Sequence, residues 1–423
     1  MHWLLNPGTR LSQRVVHAAF WAFALRMTLR LFTFARTVIL ARLLAPDDFG
    51  LMGIALLVMS LLETFTSTGF NAALVQRKGD IRPYLHTAWT VSVFRGLVLA
   101  GALVVAGPFV AGFFDAPEAS LIMRVMAISV LVGGFTNVGI VFFQKELEFQ
   151  KRFVYQLAET VFEVGVGIGM ALALRSVWAL VYGALAGSVA RLVFSYILHP
   201  YRPLLRLDLA KAKELYRFGR WVFLGGVAVY LFLHVDDFVV GKVVGVAALG
   251  LYQMAYNLSQ IMTTEITHSL NSVAFPAFSK LQNRSDKLRD GYLKVLGSTG
   301  LLALPASAGL AIVGRDLVHV GLGEKWLPMM PVFYVLIIWG AIRMFSASSG
   351  PLFSALGRPD LIAKLVLTKV LLLASLIYPF TTTWGLVGAG VAVVSTAALL
   401  DSFGMNLANR MVGIGIRDLL RIL

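Results

Sequence analysis

The chain has 423 residues, 58% of them hydrophobic and 14% charged, with a mean hydropathy of +0.78. That composition excludes an ordinary soluble domain and points to an integral membrane protein, while the lack of any cysteine excludes a disulfide framework and a thiolate metal site. The net charge of +15 would suit a nucleic-acid binder, but its distribution along the chain argues against nucleic acid as a partner.

A membrane helix needs about 20 apolar residues. By that measure the sequence divides into about twelve spans: 15–44, 48–75, 84–113, 118–143, 153–174, 176–199, 218–243, 247–275, 289–313, 327–356, 360–380 and 384–410. The opening residues, MHWLLNPGTRLSQR, lack a short apolar core followed by a cleavage site, so the first span is expected to be retained. It carries Arg26, Arg30 and Arg36. Each guanidinium at the middle of a membrane helix costs at least about 2.5 kcal/mol, so this span is expected to wall a polar pathway.

Further along, Gly165 with Gly169 and Gly183 with Gly187 fit the GxxxG spacing that brings membrane helices close. The basic connection 199–220 contains Pro200, Pro203 and the run LDLAKAKELYRF, which reads as an amphipathic cytoplasmic helix capped by Asp208. It separates an expected N-terminal lobe, 1–200, from a C-terminal lobe, 218–423, with the linker at 201–217. Pro276, Pro305, Pro351 and Pro379 lie in or beside spans as candidate kinks, and Trp3, Trp326 and Trp384 stand where interfacial anchors are expected.

Lys and Arg gather at the termini, at 77–82, 145–152, 202–220 and 280–294, and at Arg358 and Lys364; the alternate loops hold only Arg42, Arg124, Arg175, Lys242, Arg315 and Lys325. This asymmetry is the positive-inside pattern and places both termini in the cytoplasm. It accounts for the basic balance without nucleic acid.

The sequence also repeats itself. The stretch ILARLLAPDDFGL from Ile39 matches VVGKVVGVAALGL from Val239 at an offset of 200 residues, and Trp21 with Trp221 and Asn71 with Asn271 fall in the same frame. Six spans separate the copies, so both share one orientation, related by an axis along the membrane normal. The expected fold is an all-α membrane protein, with two pseudo-symmetric six-helix lobes around a central cavity.

The stretch ILARLLAPDDFGLMGIA with AALVQ after it, the run LGLYQMAYNLSQ, the segment NSVAFPAFSKLQ and the turn ALGRPD resemble the polysaccharide-transporter branch of the multidrug/oligosaccharidyl-lipid/polysaccharide flippase superfamily. The resemblance implies flipping of a lipid-linked oligosaccharide on an undecaprenyl-diphosphate-type carrier across a bacterial inner membrane, for exopolysaccharide, capsule or lipopolysaccharide synthesis. It further implies alternating access driven by an ion gradient or membrane potential, with membrane lipids and polysaccharide polymerases as partners. Many members carry two further spans that help form a lipid-facing groove, whereas this sequence ends in RDLLRIL after its last predicted span. Either this member lacks the pair or the chain is shortened, so the groove is not carried over.

Against that geometry the intramembrane charges acquire candidate roles. Arg26 and Arg30 share a helix face about 6 Å apart along the axis, while Arg36 is turned about 120° away and lies about 9 Å beyond Arg30. Arg95 and Arg343 fall near the middles of the third and tenth spans. Planar guanidinium donors bind phosphate oxygens bidentately, so Arg26, Arg30, Arg95 and Arg343 are the expected substrate-binding residues. The competing reading makes each a structural arginine, capped by carbonyls or paired with Glu63, Glu159 or Glu163.

The repeat aligns Arg36 with Asp236, which suggests an outer gate between them; the alternative pairs each within its own lobe. Asp236, Asp237 and Lys369 are candidates for proton coupling, the lysine being expected to satisfy the aspartates. Glu159 and Glu163, at i, i+4, join them as ion-coupling candidates, with ion pairing to Arg95 or Arg191 the preferred account. In the first half Arg26, Arg30, Arg36, Arg95 and Arg191 face Glu63, Glu159 and Glu163; in the second, Arg343 and Lys369 face Asp236, Asp237, Glu265 and Asp401. Substrate phosphate therefore favours the first half, and a coupling proton or cation the second.

No Walker A sequence, HExxH pair or zinc-spaced histidines occur, so no metal, cofactor or enzymatic role is expected. A multidrug exporter of the same superfamily is the alternative, with an acidic cavity for organic cations; Arg26, Arg30 and Arg95 count against it. A membrane-embedded glycosyltransferase or polymerase is disfavoured by the lack of a large loop bearing an acidic metal-binding motif.

Overall fold

The computed structural model describes residues 11–415 and Asp418. It is all-helical, with no strand among the described residues. The chain divides into two compact units, one up to Val227 and one from Ala228 onward.

The first unit opens with α1 (Leu11–Leu43) and α2 (Pro46–Phe65), followed by the short α3 (Phe70–Gln76), α4 (Arg82–Phe113) and α5 (Pro117–Gly134). A 3-10 turn (Val138–Ile140) and the short α6 (Val141–Lys145) lead to α7 (Phe149–Leu174) and α8 (Trp178–Leu198). Two expected spans are thus interrupted. Segment 48–75 breaks at Gly69, whose left-handed φ of 64° ends one helix and starts another, a conformation other residues adopt only with strain. Segment 118–143 stops at Gly134, and Asn137 begins the turn that follows by accepting from the Gly139 N–H at 2.9 Å.

The long helix α9 (Leu209–Val243) joins the two units, since the boundary falls inside it. The amphipathic run beginning at Leu209 is therefore not a separate surface helix but the first turns of this one. Asp208 caps it as expected, its Oδ1 accepting the N–H groups of Ala210 at 3.0 Å and Lys211 at 3.2 Å. The Lys211 ammonium beside it holds the Asp208 carboxyl below the usual carboxylate range.

The second unit continues with α10 (Val246–Leu281), α11 (Ser285–Asp316), a π-turn and a 3-10 turn, α12 (Met330–Ser346), α13 (Ser349–Ala355) and α14 (Pro359–Met411). Expected span 327–356 is thus assembled from three helical pieces. Expected spans 360–380 and 384–410 are the two arms of α14, which reverse at Gly385 with φ 57° and ψ −135°. Trp326, expected at the membrane interface, is fully buried at 0% exposure, whereas Trp384 is 59% exposed. Trp3 lies outside the described residues, as do the side chains of Trp221 and Asn271.

Among the described residues, eight helical stretches are long and apolar enough to cross a membrane. They carry exposed Phe109, Leu301 and Ile312, which suits faces solvated by lipid and not by water. α1, α9 and α10 span 33, 35 and 36 residues.

The sequence repeat has a structural counterpart. α1 ends and α2 begins at Leu43 and Pro46; α9 ends and α10 begins at Val243 and Val246. At each corner the next amide reaches back one turn, Leu44 to Leu40 and Val244 to Val240, at 2.8 and 2.9 Å.

Small residues set the closest helix approaches. A Cβ on Gly183 would meet the Glu163 carbonyl at 2.9 Å, and one on Gly187 would meet the Glu163 Cβ at 3.1 Å, so this pair seats α8 against α7 as expected. On α7, however, the contact is made by Gly167; Gly165 and Gly169 face open space.

Candidate functional site

The first unit encloses a cavity of about 520 Å³ walled by α2, α3, α4, α5, α7, α8 and the turn after α5. Its polar lining includes Glu63, Asn71, Ser92, Arg95, Tyr155, Glu159, Glu163, Ser188 and Arg191. Glu159 and Glu163 project one helical turn apart from α7. Because Gly183 and Gly187 let α8 approach, Arg191, one turn beyond Gly187, reaches Glu159, with its Nε 3.0 Å from Oε1. Glu163 is taken by Arg36 of α1. Both acids are therefore ion-paired, with Arg191 the expected partner for Glu159 and Arg36 an unexpected one for Glu163.

Arg95 sits differently. Its Nε donates to Thr66 Oγ1 at 3.0 Å and its Nη2 to the Glu63 carbonyl at 2.8 Å, so it is held at the carbonyl end of α2, where the helix dipole favours a cation. It forms no ion pair with any carboxylate among the described residues, and Nη1 has no protein partner there. The carbonyl contact expected of a structural arginine is thus present on a residue that also lines the cavity. Arg26 and Arg30 are half-buried on α1, and neither lines this cavity.

In the second unit, Asp236 is 3% exposed and its Oδ2 accepts the Tyr252 hydroxyl at 2.7 Å. Asp237, the next residue and so about 100° round the helix, meets His234 Nδ1 at 3.2 Å. A cavity of about 10 Å³, room for roughly one water, lies among Asp236, Phe232, Tyr256, Trp339 and Lys369. Lys369 does not satisfy the aspartates as expected; it is ion-paired with Asp401. The reason is the reversal of α14, since Lys369 and Asp401 stand 16 residues either side of Gly385 and so meet across the two arms. Lys369 and Asp401 also wall a 230 Å³ cavity with Arg343, whose guanidinium lies 5.4 Å from the Trp339 ring centre.

Arg36 and Asp236, expected as a gate, each have a partner within their own unit here, Glu163 and Tyr252. The sequence reading overlooked Tyr252, Thr66 and the Lys369–Asp401 pairing. A usable signal existed for Tyr252, because it and Asp236 are equidistant from the α9–α10 corner at Val244, and residues equidistant from a helical hairpin turn face each other.

Comparison with known proteins gives the family and the fold. The chain is 26% identical over 368 residues to the lipopolysaccharide biosynthesis protein WzxC of Escherichia coli (strain K12), covering 86% of this chain and 74% of that one. Its fold is similar to that of the lipid II flippase MurJ in an inward closed conformation, with a TM-score of 0.77, 13% identity, and 96% and 90% of the two chains covered. It is also similar to an inward-facing multidrug resistance MATE family transporter of the MOP superfamily, with a TM-score of 0.71, 17% identity, and 91% and 94% covered. The family model for polysaccharide biosynthesis proteins matches residues 39–331, and the chain, a multi-pass membrane protein, belongs to that family.

Proposed function

We propose that the protein is a secondary transporter that flips a lipid-linked oligosaccharide, carried on an undecaprenyl-diphosphate-type lipid, from the cytoplasmic to the outer leaflet of a bacterial inner membrane. Its termini are cytoplasmic, and two six-helix lobes rock about a central cavity. Membership of the polysaccharide biosynthesis family and the MurJ-like fold support this reading. The observation that carries it is the chemistry of the 520 Å³ cavity. Glu159 and Glu163 are ion-paired with Arg191 and Arg36, and Arg95, with the Glu63 carboxylate in its neighbourhood, is the lining cation that forms no ion pair among the described residues. Serine, asparagine and tyrosine side chains around it suit sugar hydroxyls.

In this reading Arg95 engages a substrate phosphate, and Arg26, Arg30 and Arg343 serve it at other stages of the path. Asp236, Asp237 and the Lys369–Asp401 pair couple transport to protons, and Arg36 exchanges Glu163 for Asp236 when the outer gate closes. Reconstitution in proteoliposomes with a fluorescent lipid-linked oligosaccharide tests it. Wild-type protein should make the lipid accessible to an external reagent, Arg95→Gln should do so more slowly at low lipid density, and export of ethidium without lipid flipping would replace this reading by the multidrug one.

A further inference from the structure

The connection between α8 and α9 is not a free linker but a strap laid along the start of α4. The Leu204 N–H donates to His86 Nδ1 at 2.9 Å. Thr90 Oγ1 both accepts the Arg206 N–H at 3.0 Å and donates to the Arg206 carbonyl at 3.1 Å, and the Asp208 N–H reaches Thr87 Oγ1 at 3.2 Å. At its upstream end Asn137 Nδ2 donates to the Tyr201 carbonyl at 2.7 Å. Just beyond it, Glu214 is clamped by Arg77 and by the Tyr84 hydroxyl.

With its backbone so satisfied, the strap turns its leucines outward. Leu205 is 68% exposed and Leu209 75%, and Leu204 and Leu207 are exposed as well. Arg206 stands exposed among them and Lys213 one turn beyond Leu209, and neither forms an ion pair with a carboxylate among the described residues.

The depth of this surface follows from helix geometry. α4 has 32 residues and is about 48 Å long, against a hydrocarbon core of about 30 Å, leaving about 9 Å of helix beyond the core at each end. His86 and Thr90 lie about 6 and 12 Å along α4 from its start, so the strap straddles the boundary between head groups and acyl chains. Leucines pointing outward at that level, interleaved with uncompensated cations, match an anionic lipid surface, apolar below and negative above.

We propose that the strap, through Leu204, Leu205, Leu207 and Leu209 with Arg206 and Lys213, is an interfacial docking surface for anionic phospholipid. It anchors the first unit in the cytoplasmic leaflet independently of the transported lipid.

The chain contains no cysteine, so nitroxide labels on Leu205→Cys, Leu209→Cys and Lys213→Cys variants of the full chain report depth in nanodiscs of phosphatidylcholine with or without phosphatidylglycerol. Labels at 205 and 209 should be relaxed by oxygen and shielded from a water-soluble nickel chelate, while the label at 213 shows the reverse. Arg206→Gln should raise the phosphatidylglycerol fraction needed for half-maximal shielding about fivefold. Hydroxyl-radical footprinting of the unmodified chain should likewise find the leucines protected only in phosphatidylglycerol nanodiscs. Equal nickel access at 205, 209 and 213 in both lipids would overturn the proposal, as would shielding with dipolar broadening between labels on two copies. Lipid flipping is read separately on the wild-type protein, so its absence with shielding intact tells against the flippase reading and not against this surface.

Discussion

Arg95 and Asp236 show how a buried or half-buried charge takes its meaning from the groups around it. Arg95 is anchored by two donors to Thr66 and the Glu63 carbonyl, which fixes its fork without a direct ion pair to a carboxylate among the described residues. Arg95→Gln should therefore lower apparent substrate affinity about 10-fold to 100-fold, the worth of a charge-assisted hydrogen bond. Arg95→Lys should recover part of it, since the ammonium keeps the charge without the bidentate geometry. Titrating initial flipping rates against substrate density checks both. Asp236 accepts the Tyr252 hydroxyl through Oδ2, so Tyr252→Phe should cost about 1–3 kcal/mol by removing the partner of a buried acceptor, read as a lower unfolding temperature in detergent. The Arg36–Glu163 tie between α1 and α7 should behave as a pair: Arg36→Glu alone destabilises, and adding Glu163→Arg restores thermal stability. If the double variant were no more stable than the single one, the pair would not be holding these helices.

At the scale of elements, glycine placement decides which helices touch. Gly183→Leu should destabilise by about 1–3 kcal/mol through overpacking, because its side chain would be driven into the α7 backbone, whereas Gly165→Leu meets open space and should be tolerated. Comparing their unfolding temperatures separates two glycines that the GxxxG spacing alone treats alike. The strap is sensitive to pH through His199, whose Nδ1 accepts the Tyr201 N–H at 3.2 Å. Burial, with Lys151 and Arg202 nearby and Glu148 and Glu146 opposing them, pushes its imidazole below the usual histidine value. The neutral ring is thus the one the fold prefers. Its stabilising contribution is present above about pH 6.5, the ordinary histidine value, and is lost as pH falls through the lowered folded value. Amide exchange at Tyr201, corrected for intrinsic rate, should accelerate on acidification in wild type and not in His199→Gln.

For the whole molecule, the two halves share a corner but not its chemistry. The same helix–turn–helix recurs 200 residues apart, yet the first copy contributes Arg36 to an ion pair and the second contributes Asp236 to a hydroxyl. A carrier built on such a repeat should bind anion mainly in one half and exchange protons in the other. Exchanging the charges, Arg36→Asp with Asp236→Arg, should preserve flipping if the two meet in another conformation. Because Arg36→Asp also breaks the tie to Glu163, flipping no better in the exchange variant than in Arg36→Asp alone would confine both residues to their separate partners.

Much of this was legible in the linear chain, because burial in lipid demands long apolar helices whatever their packing. Composition marked a membrane protein, the repeat frame located two equivalent corners, and the quoted motifs identified the family. What the sequence could not reveal is which charge meets which. The partner of Glu163 is 127 residues away on α1, and the partner of Lys369 is decided by a reversal at Gly385 that the periodicity placed a few residues earlier. The strap, too, reads as a linker until its amides are seen to be satisfied by His86, Thr87 and Thr90. Sequence alone thus determined the solvent of this protein, its all-helical class and its family, since those follow from hydropathy and local pattern. Only the tertiary structure decided that Arg36 is tied to Glu163 and Arg95 to the end of α2, because the pairing of charges depends on which helix faces converge, and that is a property of packing between residues far apart in the chain.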